Sequence, residues 1–316
     1  MKHEFHTYFD FALQDSVVQS YALDWLAGKS LRLPYRWQKI KVITDDFARL
    51  QVLYQAPITG YKEYARMGSK KNPTGLYYWI KHHSEKFFEN RIKLMRRFGL
   101  TPSLPDLSIF PKGSWAIQVN FILRTPYISK DDVDFYIIDN PVKKEWVFKV
   151  PYVSPSQWKG ALRAAMRRLR GYTSWEEEAR NEQMVRLFGN IKGKETDFSA
   201  GSLHFYPTFF DSIGLEVINP HDRNTGAGKK PIYFECVPAG TPGVFTLLYV
   251  PPVNTDENTA RADLKAVAKG VKVMLTQYGF GAKTSSGYGV AKIDKFVTRR
   301  HSEHGEIETQ SFDVGG

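Results

Sequence analysis

The segment GFGAKTSSGYG at residues 279–289 has the composition of a phosphate-binding loop. Glycines let a backbone approach a ligand closely, and a lysine beside hydroxyl side chains supplies donors for phosphate oxygens. The Walker A spacing GxxxxGK[ST] is absent, and a helix before the loop with a strand after it differs from the Rossmann order. The alternative is a glycine-rich turn that only lets that helix and strand pack. The candidate residues are Gly279, Gly281, Lys283, Thr284, Ser285, Gly287, Tyr288 and Gly289.

A cluster of basic residues lies in QWKGALRAAMRRLRG at residues 157–171, which has five Lys or Arg and no acidic residue. Four of them recur at spacings of four, four and three residues, so they fall along one stripe of a helix opposite an apolar stripe. We expect a helix over 156–170 that is capped by Ser154 or Ser156 and presents its basic stripe to anions. The basic stripe is Lys159, Arg163, Arg167 and Arg170, and the apolar stripe is Leu162, Met166 and Leu169.

Cations and aromatic rings are interleaved between residues 62 and 97, where ten Lys or Arg and two His alternate with Tyr, Trp and Phe. RNA contacts combine cations that bind phosphates with rings that stack on bases. The segment is therefore a candidate RNA-binding region. It also fits an amphipathic helix that turns Ile80, Phe87, Ile92 and Leu94 inward and its lysines to water.

The elements that must position these residues follow a regular order after residue 113. A strand at SWAIQVNFILR precedes the basic helix, strands at GSLHFYPTFF and VFTLLYV follow it, and an amphipathic helix leads through the glycine-rich loop to the strand GVAKIDKFVTR. This order predicts an α+β fold with a ferredoxin-like or RRM-type core. PIYFECV and VFTLLYV flank the turn-forming PAGTPG, which predicts a hairpin between them.

The proline-rich stretch TPSLPDLSIFPKG marks a change in composition near residue 111. We predict three regions: a helix-rich N-terminal extension at 1–110, the RRM-type core at 111–298, and a partly disordered tail at 299–316.

Charge and composition exclude several classes of protein. The 316 residues carry 44 Lys or Arg against 33 Asp or Glu, a net charge of +11 that favours a polyanionic partner. One cysteine and no zinc-ligand spacing exclude a disulfide scaffold and a zinc module. No stretch approaches about 20 apolar residues, and the charged start MKHEFHTYFDFALQD is unlike a signal peptide, so we expect a cytoplasmic chain without a membrane partner.

Four ordered segments between residues 113 and 298 resemble the RAMP (repeat-associated mysterious protein) superfamily of CRISPR-associated proteins. IIDNPVKKEWVFKVPYVSPSQWKGALRAA is similar to the part of type III backbone subunits that reads IDNPV and then PYIPGSSLKGALR, although SPSQ here replaces the usual PGSS. LFGN with GSLHF resembles the next landmark, and HDRNTGAGKKPIYFECVPAGT resembles the thumb region of the family. The glycine-rich loop is the fourth match, and residues 1–110 carry no comparable resemblance.

This resemblance implies a subunit that holds CRISPR RNA by its backbone in a type III effector complex. Target RNA and other CRISPR-associated subunits are the further partners it implies. A β-hairpin thumb is implied as an insertion in the core, with Arg223, Lys229 and Lys230 on or beside it. The implied guide-RNA contacts are Lys159, Arg163 and Arg167 in the basic helix and Lys283, Thr284, Ser285 and Tyr288 in the loop.

Asp139 occupies the IDNPV position at which target-cleaving type III subunits carry an essential aspartate, so the resemblance implies an endoribonuclease. Such a carboxylate orients or deprotonates a 2′-hydroxyl for attack on the adjacent phosphate, or holds a magnesium or manganese ion that does so. From the residues alone, an aspartate before Asn-Pro is also a common turn residue. Asp131, Asp132 and Asp134 form a second candidate cluster of carboxylates.

Two other functions stay open. The same scaffold without catalysis would be a structural or capping RNA-binding subunit. A CRISPR-precursor processing endoribonuclease shares the fold and the loop but needs a histidine base, for which His82 and His83 are the candidates.

Overall fold

The computed structural model describes residues 16–32, 43–54, 62–69, 71–131, 136–190, 199–219 and 231–313. Their helices and strands, in chain order, are α1 (Ser16–Leu26), α2 (Asp46–Tyr54), α3 (Lys62–Arg66), α4 (Gly75–Arg97), β1 (Trp115–Leu123), β2 (Tyr152–Val153), α5 (Pro155–Leu169), α6 (Trp175–Ala179), α7 (Glu182–Phe188), β3 (Leu203–Phe205), β4 (Thr208–Phe209), β5 (Gly214–Ile218), β6 (Ile232–Cys236), β7 (Pro242–Tyr249), α8 (Glu257–Val273), β8 (Ala291–His301) and β9 (Ile307–Asp313). None of the described helices combines the length and the apolar character that crossing a membrane requires.

The chain folds as two compact units. The first comprises Met1–Arg91, Ser129–Lys143 and Ser212–Cys236, and the second comprises Ile92–Ile128, Lys144–Asp211 and Val237–Gly316. These limits differ from the predicted boundaries at 110 and 298, because two segments of the predicted core fold with the N-terminal helices. The amide of Ile137, for example, donates to the carbonyl oxygen of Tyr54 at 2.9 Å.

The first unit contains α1, α2, α3 and most of α4, in line with the helix-rich composition of the N-terminal region. α4 buries Leu76, Trp79 and Phe88 along one stripe, which continues to Met95. The prediction that Leu94 faces inward is wrong. Leu94 is exposed because the buried stripe shifts around α4 in its last turns to Phe88, Ile92 and Met95, and Leu94 lies about 100° around the helix from Met95.

β5 and β6 form a two-stranded antiparallel hairpin, which lies where the thumb was predicted. The segment between them at 220–230 falls outside the described residues. The predicted hairpin between PIYFECV and VFTLLYV is wrong, because β6 and β7 do not pair with each other. One edge of β6 pairs with β5, and on the other edge the Glu235 amide donates to the Asn140 carbonyl oxygen at 2.9 Å. Both edges of β7 pair inside the second unit, with β1 and β3.

The second unit contains a five-stranded antiparallel sheet in the order β3-β7-β1-β8-β9. With α5 between β1 and β3 and α8 between β7 and β8, the first four strands have the ferredoxin-like order. The predicted α+β fold class is therefore confirmed. Aromatic rings fill its core, where the Trp158 ring of α5 lies 5.0 Å from the Phe245 ring and 4.5 Å from the Phe280 ring, measured between centroids.

The basic helix α5 begins where the sequence predicts. Ser154 caps it by accepting a hydrogen bond from the Gln157 amide at 3.3 Å, and Pro155 occupies the first turn, where a missing N–H costs nothing. Leu162 and Met166 are buried on its inner face, as predicted. The predicted basic stripe lies beside this inner face and is half-buried, whereas the exposed line of α5 runs through Gly160, Ala164 and Arg168.

The tail that was predicted to be partly disordered contains a strand. β8 continues to His301, and β9 pairs with it from Lys295 opposite Asp313 to His301 opposite Ile307. All seven residues of β9 are exposed, so its sequence has no apolar face that would reveal a strand. Backbone pairing with β8 accounts for this element.

Candidate functional site

Asp139 follows two buried residues, Ile137 and Ile138, which fix the backbone while the carboxylate reaches solvent. Its side chain is 46% exposed. Oδ1 accepts hydrogen bonds from two cations of α3, the Arg66 guanidinium at 2.6 Å and the Lys62 ammonium at 3.3 Å. A half-exposed carboxylate beside two cations combines a proton acceptor with groups that stabilise developing negative charge.

Several contacts hold Arg66 in place. Its side chain is only 3% exposed, Nε donates to the Ile137 carbonyl oxygen, and Nη1 lies 3.3 Å from Glu63 Oε1. The guanidinium carbon lies 5.3 Å from the centroid of the Tyr233 ring. Burial and a hydrogen bond with Glu63 raise the pKa of Tyr233, so its hydroxyl stays neutral. An arginine fixed in this way also fixes the carboxylate it binds.

Glu235 of β6 anchors the loop that carries Asp139. Its buried carboxylate accepts hydrogen bonds from the Tyr136 hydroxyl at 2.8 Å and from the Val142 amide at 3.2 Å. These two partners stand three residues before and three residues after Asp139. Burial and the charge of Glu235 raise the pKa of Tyr136 well above its ordinary value, so the hydroxyl remains a donor. The thumb hairpin thus pins the loop on both sides of the candidate catalytic residue.

The described residues around Asp139 do not form a ligand set for a divalent ion. Magnesium and manganese favour several oxygen ligands, whereas the groups bonded to this carboxylate are the cations Lys62 and Arg66. Over the part of the chain that the structure describes, no group of three or more His, Cys, Asp or Glu side chains could hold a metal. Of the alternative carboxylates, Asp132 and Asp134 lie outside the described residues. The magnesium or manganese ion therefore stays a prediction.

Two of the four basic residues in the stripe of α5 form ion pairs inside the protein. Arg163 and Arg167 both approach the buried carboxylate of Glu178 in α6, and Arg167 Nε lies 3.2 Å from Oε2. Arg167 also stacks on Trp175, with its guanidinium carbon 3.9 Å from the ring centroid. Lys159 differs, because burial and the neighbouring charge of Arg163 lower its pKa. Among the predicted RNA contacts of α5, Lys159 is therefore the one whose charge an added anion would stabilise most directly.

Packing shapes much of the glycine-rich loop. Gly281 and Gly289 have φ values of +89° and +71°, and a Cβ would lie 2.5 Å from the Ile128 carbonyl oxygen at the first and 1.9 Å from the Phe280 carbonyl oxygen at the second. Gly279 is constrained in the same way. Gly287 differs, because a Cβ there would meet open space. The packing alternative thus accounts for three of the four glycines.

The remaining loop residues form an exposed turn next to α5. Thr284–Ser286 is a single 3₁₀ turn, and Lys283 before it has φ of +56°, a left-handed conformation uncommon for lysine. Lys283 and Ser285 are exposed, whereas Thr284 and Tyr288 are half-buried. The ring contact between Phe280 and Trp158 brings this loop and the first turns of α5 together in the second unit.

Residues 120–292, more than half of the chain, match the sequence model of the RAMP superfamily. The chain belongs to the RAMP superfamily. The match includes Asp139, α5, the thumb hairpin and the whole glycine-rich loop at 279–289. It lies inside the predicted core at 111–298.

Three known proteins are similar to this RAMP chain. The CRISPR system Cms endoribonuclease Csm3 of Streptococcus thermophilus is 29% identical over 171 residues, which are 50% of this chain and 76% of that protein. A chain in the cryo-electron-microscopy structure of the type III-B Cmr-beta bound to cognate target RNA is 16% identical with a TM-score of 0.49, covering 92% of this chain and 98% of that one. A chain of a CRISPR RNA-guided surveillance complex is 18% identical with a TM-score of 0.41, covering 60% and 70%.

The remaining candidates of this RAMP protein are the thumb cations and two histidines. Arg223, Lys229 and Lys230 lie outside the described residues. His82 and His83 lie on α4 with ring centroids 6.4 Å apart. Burial and the charge of His82 lower the pKa of His83, so this ring is neutral at neutral pH.

Lys62 and Arg66 contact Asp139 and Glu235 anchors its loop, and the sequence did not connect any of these three residues with Asp139. Lys62 and Arg66 precede the RAMP-matched residues, and two cations four positions apart on a short helix are too common to signal a site. Glu235 did carry a signal, because a charged residue stands inside the apolar strand PIYFECV. A buried carboxylate requires partners, and here they are the backbone and a tyrosine of the Asp139 loop.

Proposed function

We propose that this RAMP protein is an RNA-binding subunit of a type III CRISPR effector complex that cleaves target RNA at Asp139. The observation that carries the proposal is the placement of Asp139, half exposed on a loop that buried groups hold rigid, with two cations at its carboxylate. Membership of the RAMP superfamily and the similarity to Csm3, whose name describes an endoribonuclease, support it. The predicted cytoplasmic location belongs to the same proposal.

The proposed RNA grip lies in the second unit and reads the backbone of the guide. Lys159 and the exposed loop residues Lys283 and Ser285 supply donors to phosphates, while Arg163 and Arg167 also stabilise the fold through Glu178. Phosphate contacts of this kind carry no sequence information and weaken as salt rises. Guide binding should therefore be independent of guide sequence and strongly salt-dependent.

The proposed chemistry at Asp139 is an internal transesterification of RNA. The carboxylate takes the proton of a 2′-hydroxyl as its oxygen bonds to the adjacent phosphorus, and the bond from phosphorus to the 5′-oxygen breaks. The 5′-oxygen leaves with a proton from solvent, so the products are a 2′,3′-cyclic phosphate and a 5′-hydroxyl. Lys62, 48% exposed and 3.3 Å from the carboxylate, stabilises the charge that builds on the phosphate oxygens. Arg66 is nearly buried and acts as a positioning residue for Asp139.

Single-turnover cleavage in the reconstituted complex tests this function. With guide and target bound, Asp139→Asn should slow cleavage about 10²–10⁴-fold, because an amide does not accept the proton. A target with a 2′-deoxy sugar at the cut position should resist the natural protein for the complementary reason. Asp294→Asn is the matched control, since it removes an exposed carboxylate of β8 in the same chain and should leave the rate within about twofold.

The non-catalytic alternative has one observation in its favour. Asp139 is already bonded to Arg66 at 2.6 Å, which is also the geometry of an ion pair that only stabilises the fold. If Asp139→Asn assembles normally and cuts every position at the natural rate, the subunit is structural and the catalytic proposal is wrong.

A further inference from the structure

A cavity of 430 Å³ opens in the first unit among the N-terminal helices. Its wall comes from the end of α1, the start of α2 and one face of α4, all between Leu26 and Arg91. This volume lies in the range of small-molecule sites, which is about 300–1,000 Å³. Every lining residue precedes the RAMP-matched segment, and the lining includes neither Asp139 nor its two cations.

Three permanent cations face this cavity: Arg49, Lys86 and Arg91. Arg49 Nε is buried without a hydrogen-bond partner among the described residues. The Arg49 guanidinium carbon lies 3.7 Å from the centroid of the Trp25 ring, and burial lowers the pKa of Arg49. A buried donor without a partner destabilises a fold, so an acceptor placed in the cavity would be stabilised there.

The two carboxylates of the wall offset only part of the charge of these three cations. Asp45 accepts a hydrogen bond from the Ala48 amide at 2.8 Å and so serves the first turn of α2. Asp46 directs a side chain that is 82% exposed to water, and its Oδ1 lies 3.6 Å from Arg49 Nη1. The cavity therefore retains a positive surplus that favours an anion.

Aromatic rings lie beside the cations. The rings of Phe47 and Phe87 are nearly parallel, with an interplanar angle of 11° and centroids 6.1 Å apart. The Arg91 guanidinium carbon lies 4.9 Å and 5.0 Å from these two centroids, and Trp79 meets Phe87 edge-on at 5.4 Å. Flat rings and a flat guanidinium group form a surface on which a nucleobase stacks, and stacked arginines keep their N–H edges for phosphate.

We propose that this cavity binds one unpaired nucleotide of a single-stranded RNA. Arg49, Lys86 and Arg91 hold the phosphate, and the base stacks against Phe47 and Phe87. This site is a second RNA contact, and it does not require that the chain cleave RNA. Within the Lys62–Arg97 segment, in which cations and rings alternate, the proposed contacts come from the residues of α4 that line the cavity.

Photocrosslinking and affinity measured on the full chain test the site. The probe is a short fluorescein-labelled oligouridylate that contains 4-thiouridine, followed by anisotropy and by mass spectrometry of the crosslinked peptides. We expect crosslinks within residues 45–91. Lys86→Glu should abolish them and reduce the salt dependence of binding by about one phosphate contact.

Lys81→Glu is the matched control, because Lys81 is an exposed lysine of the same helix outside the cavity. Phe87→Leu tests the stacking component: it should weaken binding of the oligouridylate about fivefold or more and leave an abasic oligomer unaffected. Circular dichroism establishes that each variant is folded. The proposal is overturned if Lys86→Glu and Lys81→Glu have equal effects, or if no crosslink falls within 45–91.

Competition distinguishes an RNA nucleotide from a free one. Uridine monophosphate and inorganic phosphate share the anion but lack the connected chain. Each competitor is added before irradiation at the same concentration as the RNA, and we expect neither to reduce the yield of crosslinks. A loss of crosslinks with uridine monophosphate would identify a free-nucleotide site instead, and a loss with phosphate would identify a simple anion site.

Discussion

A substitution at the buried Glu235 tests whether this residue anchors the Asp139 loop, and it changes no group that is proposed to contact RNA. Its buried carboxylate accepts hydrogen bonds from the Tyr136 hydroxyl and the Val142 amide. Glu235→Ala leaves both donors without this acceptor, and each unpaired buried donor costs about 1–3 kcal/mol. Removal of a buried charge also removes its desolvation cost, which offsets part of the loss. We expect the free energy of unfolding to fall by about 2–4 kcal/mol, a substantial part of a typical total of about 5–15 kcal/mol.

Glu235→Gln is the matched comparison for this loss. The glutamine oxygen accepts from the Val142 amide, while its NH₂ group donates to the Tyr136 hydroxyl, so both contacts with the loop are kept. The free energy of unfolding should then change by only about 1 kcal/mol.

Guanidinium unfolding followed by tryptophan fluorescence measures both variants, and an unchanged slope with denaturant shows that only stability has changed. In the assembled complex, at a temperature where Glu235→Ala is still folded, this variant should cleave target more slowly than Glu235→Gln. Equal stability and equal cleavage of the alanine and glutamine variants would refute the anchoring role.

Three further outcomes follow from the described contacts. Glu178→Ala removes the buried partner of two arginines that keep some solvent contact, so we expect the free energy of unfolding to fall by about 2 kcal/mol. The control Arg168→Ala changes an exposed residue of the same helix and should cost about 0.5 kcal/mol or less. Equal losses would contradict the stabilising role of the ion pair. Gly289→Ala should lower the melting temperature more than Gly287→Ala, because both have positive φ but only the first adds a backbone clash. Burial raises the pKa of the Cys236 thiol well above its ordinary value, so a thiol reagent at neutral pH should react slowly with the native chain and rapidly in guanidinium; fast native labelling would contradict this burial.

The core elements of the second unit could be predicted from the sequence because their signals are local. An alternating strand, a capped basic helix and an amphipathic helix ending at a glycine each reveal themselves within about 20 residues. β9 and the true pairing of β6 have no such local signal. β9 is exposed on both faces, and the partners of β6 are β5 and Asn140, so only the folded chain reveals them.

The candidate site was predictable at one residue and not at its neighbours. Asp139 stood in a motif that resembles a family, whereas Lys62 and Arg66 are separated from it by more than 70 residues. Their roles depend on a long-range contact, which no local pattern encodes. The same holds for Arg163 and Arg167, whose helical stripe was predicted but whose pairing with Glu178 was not.

The hydrogen bond between Arg66 and Asp139 links RNA engagement to the attachment of α3. A target nucleotide that binds the Asp139 carboxylate competes with Arg66 for it. By thermodynamic reciprocity, the bond from Arg66 weakens RNA binding at Asp139 by the same free energy by which bound RNA weakens the attachment of α3. Under the proposed function, α3 therefore opposes the binding of RNA at Asp139, although it also supplies the two cations of the site. A substitution that loosens α3 would increase the occupancy of Asp139 by RNA while lowering the stability of the first unit.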